Sequence, residues 1–185
     1  MSRFPLPQNT HAQNQQAQKN QAKNRSARKS RPRHNLVEIA TRLAGQHELW
    51  EPLVRYDPIS RYYARLASEP DFEAWLLTWV PGQGTEWHDH GGSAGAFVVV
   101  RGELTERTAT VSQVGPPRVV EEPRVLSDGS LRAFGTKHIH KVTNNGLEPA
   151  VSVHVYSPAL VEMNSYAEDG PSLWQIGSQL IGVNW

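Results

Sequence analysis

From residue 72 to residue 156, apolar residues recur in short runs, often at alternate positions, broken by glycine, proline and asparagine. Alternation with a period of two is the mark of strands with one face buried. The runs 72–80, 96–101, 103–111, 118–125, 132–134, 138–143 and 150–156 are predicted as strands. Gly102, Gly115-Pro116-Pro117, Asp128-Gly129, Gly135 and Asn144-Asn145-Gly146 supply the turns between them. Upstream, residues 34–50 predict a helix: Asn35 can cap it, and Leu36, Ile39, Ala40, Leu43 and Ala44 recur at helical spacing. Residues 52–57 predict a connector or a second short helix. Residues 61–66 predict a first strand, with Arg61, Tyr63 and Arg65 on one face and Tyr62, Ala64 and Leu66 on the other. Beyond residue 157 the pattern is mixed and predicts loops with a short strand or helix. Many short strands at this spacing imply an all-β sandwich, barrel or jelly roll with short N-terminal helices.

Charge divides the 185-residue chain in two. Residues 1–33 hold eight of the 19 Lys and Arg and no acid, which leaves eleven basic residues against all 18 acids in the remainder. The first segment is rich in Gln and Asn and nearly free of large apolar side chains. It cannot bury enough surface to offset its ordering entropy and is predicted to be a disordered basic tail. No aromatic is interleaved with its charges, so it reads as a solvated extension rather than a nucleic-acid-binding arm. Residues 34–185 are then one domain, with enough Trp, Ile, Val and Leu for a core. There is no cysteine, which excludes disulfides, thiolate metal sites and a cysteine nucleophile and fits the cytoplasm. No apolar run approaches the length of a membrane span. A cytoplasmic monomer is the expectation.

The candidate chemistry starts at Val80-Pro81-Gly82-Gln83-Gly84-Thr85-Glu86-Trp87-His88-Asp89-His90. Residues i and i+2 of a strand share a face, so His88 and His90 can offer half of a metal site, and imidazole suits zinc, copper, iron and nickel. Alone, such a pair means no more than two solvated histidines. Two further histidines, His138 and His140, lie downstream. The strand at 150–156 puts Ser152, His154 and Tyr156 on one face, where three hydrogen-bonding groups on an inner strand need mutual partners. A Ser–His–Tyr relay satisfies them and ends in a phenol. Arg65, on the strand before the apolar one, is the natural fork for a carboxylate if it faces a cavity.

The spacing of the histidines resembles that of the cupin superfamily. Gly82 is followed by five residues, His88-x-His90, four residues, Gly95, six residues and Gly102, as in the first cupin motif. His140, three residues, Asn144 fits the end of the second, although Gly135 and Lys137 stand where that motif has Pro and Gly. The resemblance implies a cupin jelly roll. Many cupins carry Glu where this chain has Gly95, so the implied ligand set is His88, His90 and His140 alone. His138 is expected beside the metal or at the surface rather than on it, and His11, His34 and His47 in solvent.

Tyr63 and Arg65, Trp79 with its glycine-rich turn, the His88 and His140 motifs, and Ser152-x-His154-x-Tyr156-Ser157-Pro158 together resemble the cysteine dioxygenases of the thiol dioxygenase family, from about residue 37 to residue 163. That resemblance implies Fe(2+), O₂ and oxidation of L-cysteine to cysteine sulfinic acid. It implies Arg65 on the substrate carboxylate with Tyr63 beside it. Tyr156, oriented by His154 and Ser152, would hydrogen-bond the carboxylate or the dioxygen. Animal members join this tyrosine to a cysteine that aligns with Gly95, a cross-link this chain cannot form. A 3-mercaptopropionate or other small-thiol dioxygenase is the alternative, and a non-enzymatic metal-binding cupin the second. Ser157-Pro158 is a candidate cis bond.

Overall fold

A computed structural model describes residues 35–120 and 122–180. The predicted tail at 1–33, with His11, lies outside the described residues, and so does His34.

The chain enters through two short helices rather than one across 34–50. Helix α1 (Leu36–Ala44) is capped by the Asn35 side chain, which accepts the Glu38 N–H. It ends where the Gly45 N–H bonds the Thr41 carbonyl. Helix α2 (His47–Trp50) follows, and a 3₁₀ turn at Glu51–Leu53 completes the entry. His47 is exposed, as expected.

Twelve strands follow among the described residues: β1 (Tyr63–Ser68), β2 (Glu73–Trp79), β3 (Trp87–His88), β4 (Ala94–Arg101), β5 (Glu103–Thr110), β6 (Arg118–Val119), β7 (Arg124–Ser127), β8 (Leu131–Phe134), β9 (Ile139–Thr143), β10 (Ala150–Ser157), β11 (Glu162–Asp169) and β12 (Ser172–Leu180). The single strand predicted over 118–125 is two, β6 and β7. Pro123, which has no N–H to give a ladder, stands at the break just before β7. The first strand starts at Tyr63 rather than residue 61, and a register shift between Arg65 and Ala67 breaks its alternation. The C-terminal stretch, predicted as loops with a short strand or helix, is instead a hairpin of two long strands.

All pairings are antiparallel. One sheet has the order β1-β2-β10-β4-β8 and the other β6-β12-β11-β3-β9-β5-β7. Strand β6 pairs with β5 as well as β12, so the second sheet curls round on itself. The first sheet buries both faces. On one face Ala74, Leu76, Ala96, Val98, Val151, Val153 and Val155 pack against Ile39, Ala40, Leu43 and Trp50 of the helices. On the other, Leu77, Trp79, Phe97 and Val99 meet Leu104, Leu126 and Val142 of the second sheet. That division explains β10, where Ala150 to Tyr156 are all buried. Its valines face the helices, so Ser152, His154 and Tyr156 must face the space between the sheets. No helix among the described residues is long and apolar enough to cross a membrane.

Candidate metal centre

His88 and His140 are direct partners across β3 and β9. Cross-strand partners project to the same face with their side chains in contact. His90 lies just beyond the end of β3. Asp89 holds it there: its carboxylate accepts from Asn164 and Tyr166 of β11 and from the Gly91 N–H, and its own N–H bonds the Asn164 carbonyl. The three imidazoles converge. Their ring centroids are 4.7 Å apart for His88–His140 and 5.0 Å for each of the other two pairs. One nitrogen from each lies within 4.8 Å of the others, the geometry of a three-histidine metal site.

The ring nitrogens show which atoms face the common point. His88 Nδ1 lies 2.9 Å from the Glu86 carbonyl, which can only accept, so that nitrogen carries the proton and Nε2 keeps its lone pair. His140 Nδ1 donates to Glu106 Oε1 at 2.9 Å, with the same consequence. Both nitrogens of His90 are buried and have no hydrogen-bond partner. Buried polar atoms are rarely left so, and a metal is the partner such a ring fits. Burial, then the neighbouring histidines, pushes the pKa of His88 and His90 well below the usual histidine value. Burial also lowers His140, against the raising effect of Glu106. All three are therefore neutral donors near pH 7, the form that ligates.

Beside them is a small cavity of about 30 Å³ lined by His88, His140, Tyr156, His154, Arg61 and Met163, with Leu77, Trp79, Thr85 and Val142 completing the wall. The expected relay is continuous. Trp79 Nε1–H donates to Ser152 Oγ at 2.9 Å, Ser152 Oγ lies 2.8 Å from His154 Nε2, and His154 Nδ1 lies 3.2 Å from the Tyr156 hydroxyl. His154 is stacked on Phe97 at 4.8 Å and its pKa is pushed down to about 3, first by burial. Tyr156 is pushed above its ordinary value by burial, so it stays a phenol. The Ser157–Pro158 bond is cis.

The arginine on the cavity wall is Arg61, where the sequence pointed to Arg65. The predicted face holds for Tyr63 and Arg65, which pair with Leu77 and Trp75 of β2, and Arg61, two residues before β1, continues the row onto Trp79. The cavity lies at the Trp79 and Leu77 end of that row. The Arg61 guanidinium sits 5.0 Å from the Trp79 ring, whereas that of Arg65 is exposed and lies 5.6 Å over Trp75. Four residues of extended chain separate the two, roughly 13 Å. Tyr63 lines a wider outer pocket of about 610 Å³ with Asp57, Ser60, Tyr62 and Arg61. Arg61 thus borders both spaces. His138 is turned onto Glu106 instead of the three-histidine point, as expected.

Residues 9–169 match the family profile described as cysteine dioxygenase type I. The chain belongs to that family. It is similar to cysteine dioxygenase type 1 of Homo sapiens and of Pongo abelii, at 30% identity over 114 residues in each case, which cover 59% of this chain and 56% of each relative. The chain thus spans little more than half the length of the curated relatives it matches. Among solved structures it is similar to TT1209 from Thermus thermophilus, at 24% identity with a TM-score of 0.50, covering 59% of this chain and 93% of that one. That likeness concerns the fold, which is cupin-like, as the motif spacing implied.

Two residues of this cysteine dioxygenase family member escaped the sequence reading. Arg61 was placed on the right face but not at the site. Glu106 was not singled out, although it follows Leu104 by two residues on an alternating strand and so belongs to the same inward face.

Proposed function

We propose that the protein is a non-haem iron thiol dioxygenase that converts L-cysteine to cysteine sulfinic acid. One observation supports this most: a single cavity is bordered by ligands of a neutral three-histidine site, a buried phenol at the end of a hydrogen-bonded relay, and an arginine. Ferrous iron held by His88, His90 and His140 would supply open coordination positions and the redox chemistry that adds both atoms of O₂ to sulfur. Three neutral ligands leave the ion's charge uncompensated, which favours an anionic thiolate.

The residues divide the substrate between them. The inner cavity, about 30 Å³, suits the thiol end. Arg61, at the border with the outer pocket, forks onto the carboxylate in the role the sequence suggested for Arg65. Burial lowers the Arg61 pKa, yet a guanidinium remains charged at neutral pH. In the relay Trp79 can only donate. Ser152 then donates to His154 Nε2, and His154 Nδ1–H donates to the Tyr156 oxygen. This order leaves the Tyr156 O–H free to donate into the cavity, to the carboxylate or to dioxygen. Tyr63, on the outer pocket, stands on the approach to Arg61.

The test is anaerobic reconstitution with Fe(II), then O₂ with L-cysteine, 3-mercaptopropionate and cysteamine in parallel. The expected result is one iron per chain and a product carrying two added oxygen atoms, formed fastest from L-cysteine. Faster turnover of 3-mercaptopropionate would reassign the substrate. Stoichiometric iron with no thiol-dependent O₂ uptake would make the protein a binding module.

A further inference from the structure

Glu106 of β5 is fully buried, with 0% of its surface exposed. A carboxylate in that position is unfavourable unless it is paired and hydrogen-bonded, and an apolar residue of similar size would pack there at no such cost. Its two oxygens have separate partners. Oε2 accepts from Arg132 Nε at 2.6 Å. Oε1 accepts from His140 Nδ1 at 2.9 Å and from His138 Nε2 at 3.2 Å. His138 is in turn stacked on Phe134, with ring centroids 4.7 Å apart and planes 18° apart, and Phe134 is stacked on His90 at 4.8 Å and 21°. The carboxylate is therefore locked from two sides and aimed at one ligand ring.

We propose that Glu106 is the positioning residue of the metal centre: it fixes His140 with the proton on Nδ1 and Nε2 toward the ion, and sets a negative charge one imidazole away from an otherwise neutral ligand set. This rests on the three-histidine reading of the site. A carboxylate behind a ligand histidine fixes its tautomer and orientation and makes it a stronger donor, an effect typically of about 10- to 100-fold in metal affinity. Arg132 holds the carboxylate in one rotamer. His138 serves the same end, which accounts for a histidine two residues before a ligand that does not itself ligate. Glu106, His138 and His140 also lie close enough together to hold an ion themselves. The Arg132 guanidinium against the carboxylate opposes a dication there, and an ion in that place would need the Nδ1 of His140 free of its proton.

The experiment compares wild-type protein with Glu106→Gln and with the double variant Glu106→Gln/Arg132→Gln, in which no guanidinium is left buried without its acid. Circular dichroism checks the fold of each apoprotein, and chelator competition measures the dissociation constants for Fe(II) and Zn(II). The expected result is one ion per wild-type chain and about 10- to 100-fold weaker binding in whichever variant folds. Affinities within threefold of wild type would overturn the proposal while leaving the three-histidine site standing. Absence of any bound ion in the wild-type protein would overturn both. A measurement on zinc-loaded wild type needs no variant: nitrogen NMR should show His140 protonated at Nδ1, with a hydrogen-bonded proton in slow exchange. An unprotonated or metal-bound Nδ1 would overturn the proposal by itself.

Discussion

Replacing Arg61 by alanine should damage recognition of the carboxylate more than the chemistry. The guanidinium is partly buried against Trp79, so a carboxylate bound to it is shielded from water on the protein side. A hydrogen bond to a charged group contributes about 1.5–3 kcal/mol. Taking about 2–3 kcal/mol for the fork gives a fall of roughly 30- to 150-fold in kcat/KM for L-cysteine, most of it in KM. Steady-state O₂ consumption should be measured with L-cysteine and with cysteamine, which keeps the thiol and amine but has no carboxylate. General damage to the site would lower both activities. Loss of the fork would lower the first and leave the second nearly unchanged, so the ratio of the two kcat/KM values should collapse. Arg65→Ala is the matched comparison. It removes only an exposed cation–π contact, worth about 0.5–1 kcal/mol of stability, and the substrate ratio should stay as in wild type. A preserved ratio in Arg61→Ala, or a collapsed one in Arg65→Ala, would refute the assignment.

Tyr156→Phe keeps the ring that packs on His90 and removes only the hydroxyl, so kcat/KM for L-cysteine should drop about tenfold, one hydrogen bond's worth, with iron content unchanged; loss of the iron instead would place Tyr156 in the metal site's structure. Gly95→Ala would set a Cβ within 2.6 Å of Phe134 Cε2 and 3.1 Å of Tyr156 Cδ1, and Phe134 is held between His90 and His138, so the overpacking should cost about 1–3 kcal/mol and lower Tm; an unchanged Tm would mean the ring moves freely. Because His154 has its pKa lowered by burial to about 3, the unfolded chain binds a proton there that the folded one does not between about pH 6.5 and pH 3. Its contribution to stability is complete above about pH 6.5 and is lost progressively as the pH falls, by up to about 1.4 kcal/mol per unit. Urea unfolding of the metal-free protein between pH 7.5 and 4.5 should show it, and His154→Gln should flatten the slope; an equal slope in both would count against a neutral buried His154.

His88 and His90 were legible as a pair because residues i and i+2 of an extended chain share a face, and His140 joined them through the resemblance of the motif spacing to the cupins. Ser152, His154 and Tyr156 were legible for a similar reason: alternation along β10 ties all three to one face, and the valines between them are drawn to the other. The hairpin of β11 and β12 was not, because much of β12 is exposed and its ladder of backbone hydrogen bonds leaves no apolar period to read. Glu106 looked like any acid on an alternating strand. Its burial depends on Arg132 of β8 and on His138 and His140 arriving from elsewhere in the chain. The choice between Arg61 and Arg65 lay further out of reach, since both obey the same alternation. Periodicity assigns a side chain to a face of its own strand, and the sequence by itself determined that much. Which rung of that face meets the histidines was decided by how the two sheets pack together, and that depends on contacts between residues far apart in the chain.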